Sequence, residues 1–450
     1  MLSCTLANPF TATTEIMTSR LDLIRHTLTR DVSKPAKLRE ILGVSQPTLS
    51  HSIKALGKEV VRIGKGKSIQ YALRDTRGRA KVEPVYRVRE DGTVQLLGEL
   101  TPVHPNGFVM KSDKVEDYSD SLPWWLFDMH PQGYLGRAYA MAHAHQLGLA
   151  QDPKYWSDTD VITALTRHGH DAVGNLLIGE TARQAFMDMP APKPVDRMRD
   201  YPALARASSD GEAPGSSAGG EQPKFCTYSD HGHVIVKFTV ATRNPISERW
   251  ADLLLAEHIA LEILGVATYV FDFGDQRFLE IPRFDRVGER GRVGMFSLHA
   301  LQAQFVGGQP SARWPSLVAK LAASGEVNKE AIAETALRWA FGRLIGNSDM
   351  HNGNLSFVGS NGRPYSLSPA YDVLPMEFSP KASGDMRSDL TPVEISDEVS
   401  AGTWRGALVM AREFERRVTT EGRFSDNFKP CLEAIQRHVE HASTQIDLLP

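Results

Sequence analysis

The chain has few cysteines and no long apolar stretch, and both shortages exclude classes of protein. Its three cysteines, Cys4, Cys226 and Cys431, lie too far apart for a metal-ligand cluster or a disulfide framework, and this usage is typical of a reducing compartment. No run of 18 apolar residues occurs, which argues against a transmembrane helix. Met1–Phe10 lacks the basic segment and apolar core of a signal peptide. We therefore expect a cytoplasmic protein without membrane contact.

Length and composition are those of an ordinary globular protein, but the charge is unevenly distributed. The 450 residues are 41% hydrophobic and 23% charged, which excludes a collagen, a mucin or a wholly disordered chain and predicts two to four domains. The net charge is −3, yet residues 1–80 carry 14 basic and 6 acidic residues. This basic segment on an acidic body indicates that the two parts have different partners.

Two short helices and a hairpin are predicted in the basic segment. Lys34–Gly43 has an apolar stripe, and Ser45 can cap a second helix that ends near Leu56. Val60–Leu73 then reads as two strands around a Gly/Lys turn. Helix-turn-helix followed by a basic hairpin resembles winged-helix DNA-binding domains, and the alternative is a small helical bundle with a solvated basic face. The side chains expected to contact DNA bases or phosphates are Gln46, Thr48, Ser50, His51 and Lys54 on the second helix and Lys65 and Lys67 at the hairpin tip.

A glycine-rich loop, a strand lysine and a helix glutamate follow in that order. Val234–Thr239 is a predicted strand that carries Lys237, and the predicted helix Ser247–Leu264 has Glu257 on its apolar stripe. A carboxylate on an apolar face needs a partner, and Lys237 is the candidate; alternatively, Glu257 lies at the edge of the stripe and reaches water. Glycines beside strands let backbone N–H groups approach phosphates, although a linker has the same composition. The loop residues predicted to meet a nucleotide are Gly219, Gly220, Gln222 and Lys224.

Asp349 and Asn354 lie five residues apart after a predicted helix, Thr335–Gly346. The catalytic loop of protein kinases, H-R-D-x-x-x-x-N, has the same spacing, because an Asp must meet the acceptor hydroxyl and an Asn must reach a metal on the phosphates. A predicted hairpin and then Asp372 follow, where kinases have a metal-binding Asp. Each feature alone is also common in ordinary turns. Their order predicts a kinase-like phosphotransferase.

Four separated motifs carry a family resemblance over roughly residues 85–440. They are Ser217-Ala218-Gly219-Gly220-Glu221-Gln222-Pro223-Lys224, similar to S-x-x-G-x-Q-x-K; Arg283-Phe284-Asp285-Arg286, similar to R-F-D-R; Asn347–Phe357, similar to N-x-D-x-H-x-x-N-x-S-F; and Ser368–Leu374, similar to P-x-Y-D-V-L. The chain thus resembles the HipA-family serine/threonine kinases, the toxins of bacterial toxin–antitoxin systems. The resemblance implies an α+β, two-lobed kinase-like fold with a mostly helical C-terminal lobe, here preceded by a small winged-helix domain.

The resemblance also implies a role for each matching residue, with ATP and Mg²⁺ as cofactors. Asp349 would be catalytic, and His351 would support its loop. The other implied roles are Mg²⁺ binding by Asn354 and Asp372, contact with the ATP phosphates by Lys237, regulatory autophosphorylation at Ser217, and adenine contact at the hinge by Glu280 and Ile281.

Four segments and one leading function are predicted. The segments are a winged helix at 1–80, a HipA-like N-terminal subdomain at 81–200, part of the kinase N-lobe at 201–298 and a helical C-lobe at 299–450. The function is growth-inhibiting transfer of the ATP γ-phosphate to a protein hydroxyl, with a translation factor or aminoacyl-tRNA synthetase as the expected acceptor class. DNA, with nucleoid association when bound, and a separate antitoxin are the other expected partners, although the fused DNA-binding domain resembles a longer, single-chain subgroup. The alternatives are a DNA-binding transcription regulator that only senses nucleotide and a small-molecule phosphotransferase.

Overall fold

The N-terminal module consists of three helices followed by a two-stranded antiparallel hairpin. Helix α1 spans Pro9–Arg30, α2 Pro35–Leu42 and α3 Gln46–Leu56, and strand β1 (Val60–Ile63) pairs with β2 (Gln70–Leu73). The two short helices and the hairpin lie where the sequence predicts them. The computed structural model describes residues 9–78, 81–113, 116–209, 222–308, 313–381 and 383–450, with side chains from residue 19 onward.

Local capping and an apolar contact shape this module. Gly43 lies at a φ of 63° and ends α2 in the left-handed conformation that glycine adopts without strain. The Ser45 Oγ accepts a hydrogen bond from the Thr48 N–H at 3.4 Å and caps α3. The hairpin residue Ile63 packs with Val109 of the following domain, so the module rests on that domain.

The middle domain is an antiparallel sheet covered by helices. Its elements are β3 (Glu83–Val88), β4 (Val94–Val103), β5 (Gly107–Lys111), β6 (Glu116–Ser119), α4 (Gly133–Leu147), α5 (Asp158–His168), β7 (Leu176–Ile178) and α6 (Gly179–Asp188). The strand order is β6–β5–β4–β3–β7. Strand β7 lies between the helices α5 and α6 along the chain. Its pairing of Ile178 with Val85 is non-local, so nothing in the neighbouring sequence indicates it.

The next lobe is a four-stranded antiparallel sheet with the order β10–β11–β9–β8. Its elements are α7 (Arg197–Ser209), β8 (Lys224–Ser229), β9 (Gly232–Phe238), α8 (Pro245–Ile263), β10 (Tyr269–Phe273) and β11 (Gln276–Pro282). Helix α7 packs on this sheet through the buried Tyr201, so the lobe begins before the predicted boundary at residue 201.

The two faces of this sheet have different neighbours. Val236 and Phe278 pack with α7, whereas Ile235 and Ile281 line a cavity on the opposite face. Because successive side chains of a strand point to opposite faces, Lys237 shares the cavity face with Ile235. This alternation decides which polar side chains of the lobe can reach a ligand.

The C-terminal lobe is mostly helical and carries a small sheet at its junction with the preceding lobe. Its elements, with those of the junction, are β12 (Arg286–Val287), β13 (Gly291–Arg292), β14 (Met295–Ser297), α9 (Leu298–Leu301), α10 (Trp314–Ala323), α11 (Glu330–Leu344), β15 (Ser356–Val358), β16 (Ser366–Leu367), α12 (Ala401–Thr420) and α13 (Lys429–Asp447). Strands β15 and β16 form the predicted hairpin, with Phe357 opposite Leu367. Phe341, Trp404 and Phe414 are fully buried in the core.

The predicted architecture is confirmed as an α+β fold with two lobes, the second mostly helical. Within the described residues, no helix combines the length and the hydropathy needed to span a bilayer.

Candidate active site

One cavity brings together most of the residues predicted to serve catalysis, the nucleotide or the metal. Its volume is about 420 Å³, and both lobes and the middle domain line it. The predicted residues in its lining are Gln222, Lys224, Lys237, Glu257, Asp349, His351, Asn354 and Asp372.

Lys237 and Glu257 form a buried ion pair at this cavity. The Lys237 Nζ lies 2.6 and 2.8 Å from the two carboxylate oxygens of Glu257, and it also contacts Asp372. Burial acts to lower the pKa of Lys237, but the attraction of Asp372 and Glu257 outweighs it and raises that pKa. The predicted partner of Glu257 is confirmed, and the lysine is held as a cation.

Asp372 is held in an unusual backbone conformation. Its φ of 53° is the one positive value of a residue other than glycine in the described part of the chain. Such conformations cost of order 1–3 kcal/mol and are found at functional sites. Burial acts to raise the pKa of the Asp372 carboxyl, but Lys237 and Lys224 together lower it to about 2. Asp372 is therefore a partly buried, ionised carboxylate beside a lysine.

The Asp349 loop is held by its backbone, which leaves the carboxylate accessible. The Asp349 N–H donates to the Asn347 Oδ1 at 3.1 Å, and the Asn347 amide donates to the Asp372 carbonyl at 3.3 Å. The Asp349 side chain is 51% exposed, and its Oδ1 lies 3.9 Å from the His351 Nε2. An incoming hydroxyl can therefore reach Asp349 from solvent.

Asn354 presents its amide oxygen as a ligand. Its Nδ2 donates to the Asp349 carbonyl at 2.7 Å, so the nitrogen serves the loop and the oxygen is the atom available to a cation. Mg²⁺ prefers oxygen ligands and uses one or two protein carboxylates together with phosphates. The Asp372 carboxylate and the Asn354 amide oxygen, in one cavity, fit that requirement.

Tyr371 fixes the loop between these two ligands. Its hydroxyl donates to the Gly353 carbonyl at 2.8 Å and lies 2.6 Å from the Ser356 Oγ. Burial raises the pKa of Tyr371, so the hydroxyl stays neutral and can donate. Tyr371, which precedes Asp372, thus anchors Gly353, which precedes Asn354.

A second, more apolar cavity of about 540 Å³ adjoins the first and shares Lys237 and Asp372 with it. Its lining includes Ile235, Ile281 and Phe284. This size and lining are typical of a small-molecule site and suit a flat aromatic ring such as adenine. Ile281 therefore lines this cavity, and its contact with adenine stays a prediction.

The prediction that Glu280 meets the nucleotide is wrong for its side chain. Glu280 pairs with Val236 across the sheet, on the face that carries α7. Its buried carboxylate accepts from Arg197 at 2.8 Å and Ser229 at 3.1 Å, and it lies 2.6 Å from the His231 Nδ1. Strand alternation therefore points this carboxylate away from the cavity.

The predicted glycine loop is described only at its end. Ser217, Gly219 and Gly220 lie outside the described residues. Gln222 donates from its side-chain amide to the Phe238 carbonyl, and Lys224 begins β8 on the cavity face. The roles proposed for the first three residues stay predictions.

The middle domain contributes cavity residues that the sequence did not indicate. Phe127, Asp128 and Gln132 line the cavity. The Asp128 Oδ2 accepts from the Ser297 N–H at 2.6 Å, and burial raises the pKa of this carboxyl. Phe127 is the last residue of an apolar run that begins at Trp124, and such a run is typical of a buried core. Asp128 follows it directly, and this polar residue is the one local indication that the segment lines a site.

The R-F-D-R motif joins the lobe to the middle domain. Asp285 accepts from Arg283 at 3.0 Å, from Arg286 at 2.6 Å and from the Gly174 N–H at 3.0 Å. Arg286 also donates to Asp171 at 2.8 Å. These charges are mutually paired and hold the middle domain against the lobe, and Asp171, Arg283 and Asp285 also line the second cavity.

Replacing Glu257 by Gln should destabilise the protein more than an exposed change on the same helix. The change keeps the volume but removes one of the two charges that balance the buried Lys237, so we expect a loss of about 1–3 kcal/mol in the free energy of unfolding. The matched control is Glu262→Gln, whose partly exposed pair with Arg417 should contribute less than about 1 kcal/mol. Urea denaturation of both variants measures the difference, and equal losses would contradict the assigned pair.

The fold and the site define a class: two lobes, a buried Lys–Glu pair and an Asp-x4-Asn loop followed by an Asp are the parts of a kinase-like fold. Sequence comparison then identifies the family. The family described as HipA-like C-terminal domain matches residues 216–443, and that described as YjjJ-like toxin, middle domain, matches residues 80–187. Toxin YjjJ of Escherichia coli (strain K12) is 38% identical over 427 residues, which cover 91% of this chain and 95% of that protein. The chain belongs to the HipA family of toxins.

Two solved structures are similar to this chain at low sequence identity. The HipA–HipB–operator DNA complex of Shewanella oneidensis MR-1 contains a chain with a TM-score of 0.49 and 18% identity, covering 79% of this chain and 98% of that one. The proinflammatory kinase CtkA of Helicobacter pylori has a TM-score of 0.36 and 13% identity, covering 50% of this chain and 94% of that one.

Proposed function

We propose that this HipA-family toxin is a Mg·ATP-dependent protein serine/threonine kinase. The observation that carries the proposal is the buried Lys237–Glu257 pair, which shares one cavity with Asp349, Asn354 and Asp372. A lysine for phosphates, two oxygen ligands for a cation and an accessible carboxylate for the acceptor are what phosphoryl transfer requires of a protein.

Each side chain has one task in the proposed mechanism. Bound Mg·ATP supplies the γ-phosphoryl group and the cation that neutralises its charge. Asp372 and Asn354 would hold the cation, and Lys237, kept in place by Glu257, would exchange its contact with Asp372 for the phosphates. Asp349 would orient the acceptor hydroxyl and take its proton, because its carboxylate is exposed beside the metal ligands.

We further propose that the N-terminal module binds DNA. All but one of the predicted contact residues are exposed, and Thr48 is half-buried beside Ser45. Lys65 and Lys67 lie exposed in the turn between β1 and β2, where they can follow a phosphate backbone.

Replacing Lys65 and Lys67 by Ala should weaken DNA binding by the full-length protein on every sequence. Each lost phosphate contact should flatten the slope of log affinity against log salt by about one unit. Fluorescence anisotropy with labelled duplexes at several salt concentrations measures the slope. The double substitution of Lys320 and Lys329, exposed lysines of the C-terminal lobe, is the control and should leave it unchanged. Salt-independent binding by the unsubstituted protein would contradict the proposal.

Two rival functions make different predictions for ATP turnover. A transcription regulator that only senses nucleotide should bind ATP without transferring phosphate, and a small-molecule phosphotransferase should not label protein. Incubation of the full-length protein with Mg²⁺ and γ-³²P-ATP, with and without cell extract or small-molecule alcohols, separates the three. Labelled seryl or threonyl residues would support the proposed protein kinase activity, and their absence would reject it.

The acceptor, the antitoxin and the cellular location stay predictions. Comparing the phosphoproteomes of cells that express the unsubstituted protein and Asp349→Ala would identify the acceptor. A translation factor or an aminoacyl-tRNA synthetase is the expected class. Phosphate on Ser217 in the same data would support autophosphorylation.

A further inference from the structure

A third cavity adjoins the loop that carries Asp349. Its volume is about 400 Å³, and Gly346, Asn347 and Ser348 form one wall directly before Asp349. Met376 lines both this cavity and the one that contains Lys237. A molecule that presents a hydroxyl to Asp349 can therefore place a neighbouring group here.

The other wall comes from lining residues between 376 and 393, and hydrogen bonds hold this segment near both of its ends. The Glu377 carboxylate accepts from the Thr391 N–H at 2.9 Å and from its hydroxyl at 2.8 Å. The buried Arg249 donates to the Phe378 carbonyl at 3.0 Å and to the Arg387 carbonyl at 2.7 Å. These hydrogen bonds hold residues 377, 378, 387 and 391 of this wall in place.

The cavity carries an excess of positive charge. Arg343, Lys381 and Arg387 line it, and Glu377 is the one carboxylate among its described lining residues. That carboxylate is already engaged by Thr391 and lies 3.4 Å from the Arg387 guanidinium. Lys381 and Arg387 are exposed, so their charged ends are accessible to an anion that enters the cavity.

The acidic residues nearest along the chain do not neutralise this charge. The Asp385 carboxylate accepts from the Ser383 hydroxyl at 2.8 Å, and Asp389 pairs with Arg437 at 3.2 Å. Neither residue lines the cavity. An anion from outside the chain is therefore the complement that this cavity lacks.

We infer that this cavity binds an anionic side chain of the acceptor protein, a carboxylate or a phosphorylated hydroxyl, close in sequence to the acceptor residue. The inference rests on the proposed kinase function. An extended chain advances about 3.3 Å per residue, so a residue two or three positions from the acceptor lies about 7–10 Å from it and can enter the adjoining cavity.

The test compares serine peptides that differ only in charge, assayed with the full-length protein and Mg·ATP. A neutral peptide is the reference, and the others carry Glu, phosphoserine or Lys at positions within three residues of the acceptor. We expect the Glu or phosphoserine peptides to have a KM roughly tenfold lower than the neutral peptide, as for a charge-assisted contact in a partly enclosed site. The stronger of the two identifies which anion the cavity takes.

Substitution of the cavity cations should abolish that preference. Lys381→Gln combined with Arg387→Gln should raise the KM of the anionic peptide roughly tenfold and leave the kcat, the KM for ATP and the KM of the neutral peptide unchanged. Both side chains are exposed, so the fold should tolerate the change. The matched control is Lys320→Gln combined with Arg405→Gln, which removes the same charge elsewhere on the C-terminal lobe.

A binding measurement separates failure of this inference from failure of the kinase function. Anisotropy of a fluorescent anionic peptide reports occupancy without turnover. Equal affinity for the Lys peptide, or no loss in the double variant, would overturn the inference even if phosphate is transferred. Anionic peptide binding that depends on Lys381 and Arg387, without any transfer, would preserve the site and reject the kinase.

Discussion

Asp349→Asn should abolish phosphate transfer while leaving Mg·ATP binding intact. The asparagine keeps the size and the hydrogen-bonding atoms of the loop but lacks the charge that accepts the acceptor's proton. A positioned general base contributes about 10²- to 10⁴-fold, so transfer should fall by at least about 10²-fold. Transfer of radiolabelled phosphate gives the rate, and calorimetric titration gives the affinity for Mg·ATP.

The change should not disturb the fold, which makes the result easy to interpret. The Asp349 side chain is half exposed, and the loop is held through the backbone contacts to Asn347 and Asn354. We expect the free energy of unfolding to change by less than about 0.5 kcal/mol. Asp397→Asn, an exposed carboxylate of the same lobe, is the control. Near-normal transfer by Asp349→Asn would reject the kinase assignment in favour of a nucleotide-sensing regulator.

Asp372→Asn should make nucleotide binding weak and nearly independent of Mg²⁺. It removes an anionic ligand from a cation that prefers oxygen donors. A hydrogen bond to a charged group is worth about 1.5–3 kcal/mol, so the affinity for ATP in the presence of Mg²⁺ should fall by roughly 10- to 100-fold. Calorimetric titration with and without Mg²⁺ measures the change, and transfer activity should fall with it.

Asparagine is the informative replacement at this position because it tolerates the left-handed conformation. The φ of 53° would strain most other residues, whereas Asn adopts such values several-fold more often. Glu257 still pairs with Lys237 in the variant, so the lysine keeps one counter-charge. If Mg²⁺ still raises the ATP affinity of Asp372→Asn as it does for the unsubstituted protein, Asp372 does not hold the cation.

The short-range features of this protein could be predicted from its sequence. The cap at Ser45 and the turn at Gly43 depend only on adjacent residues, so α2 and α3 lie where the sequence predicts them. The Asp349-to-Asn354 spacing is set by the reach of one loop turn. The Lys237–Glu257 pair is less local, but a carboxylate on an apolar stripe needs a cation, and Lys237 lies on the predicted strand that precedes the helix.

The faces of the sheet and the contacts between domains were decided only by the tertiary structure. The sequence does not say which side of β11 meets the cavity, so Glu280 and Ile281 look equivalent until their pairing with Val236 and Ile235 separates them. A shift of one residue in register would exchange the two, because strand side chains alternate with a period of two.

Charge, caps, loop spacing and the buried pair are thus properties of the sequence by itself, because each depends on residues a few positions apart or on a charge that must be balanced. The lining of the cavities is a property of the tertiary structure. Asp128 and Lys381 lie more than 100 residues from Lys237 along the chain, and they line the cavity that contains Lys237 and the one beside it. The sequence around Asp128 or Lys381 does not indicate that either residue lies near this site, because packing of the lobes and the middle domain brings them together.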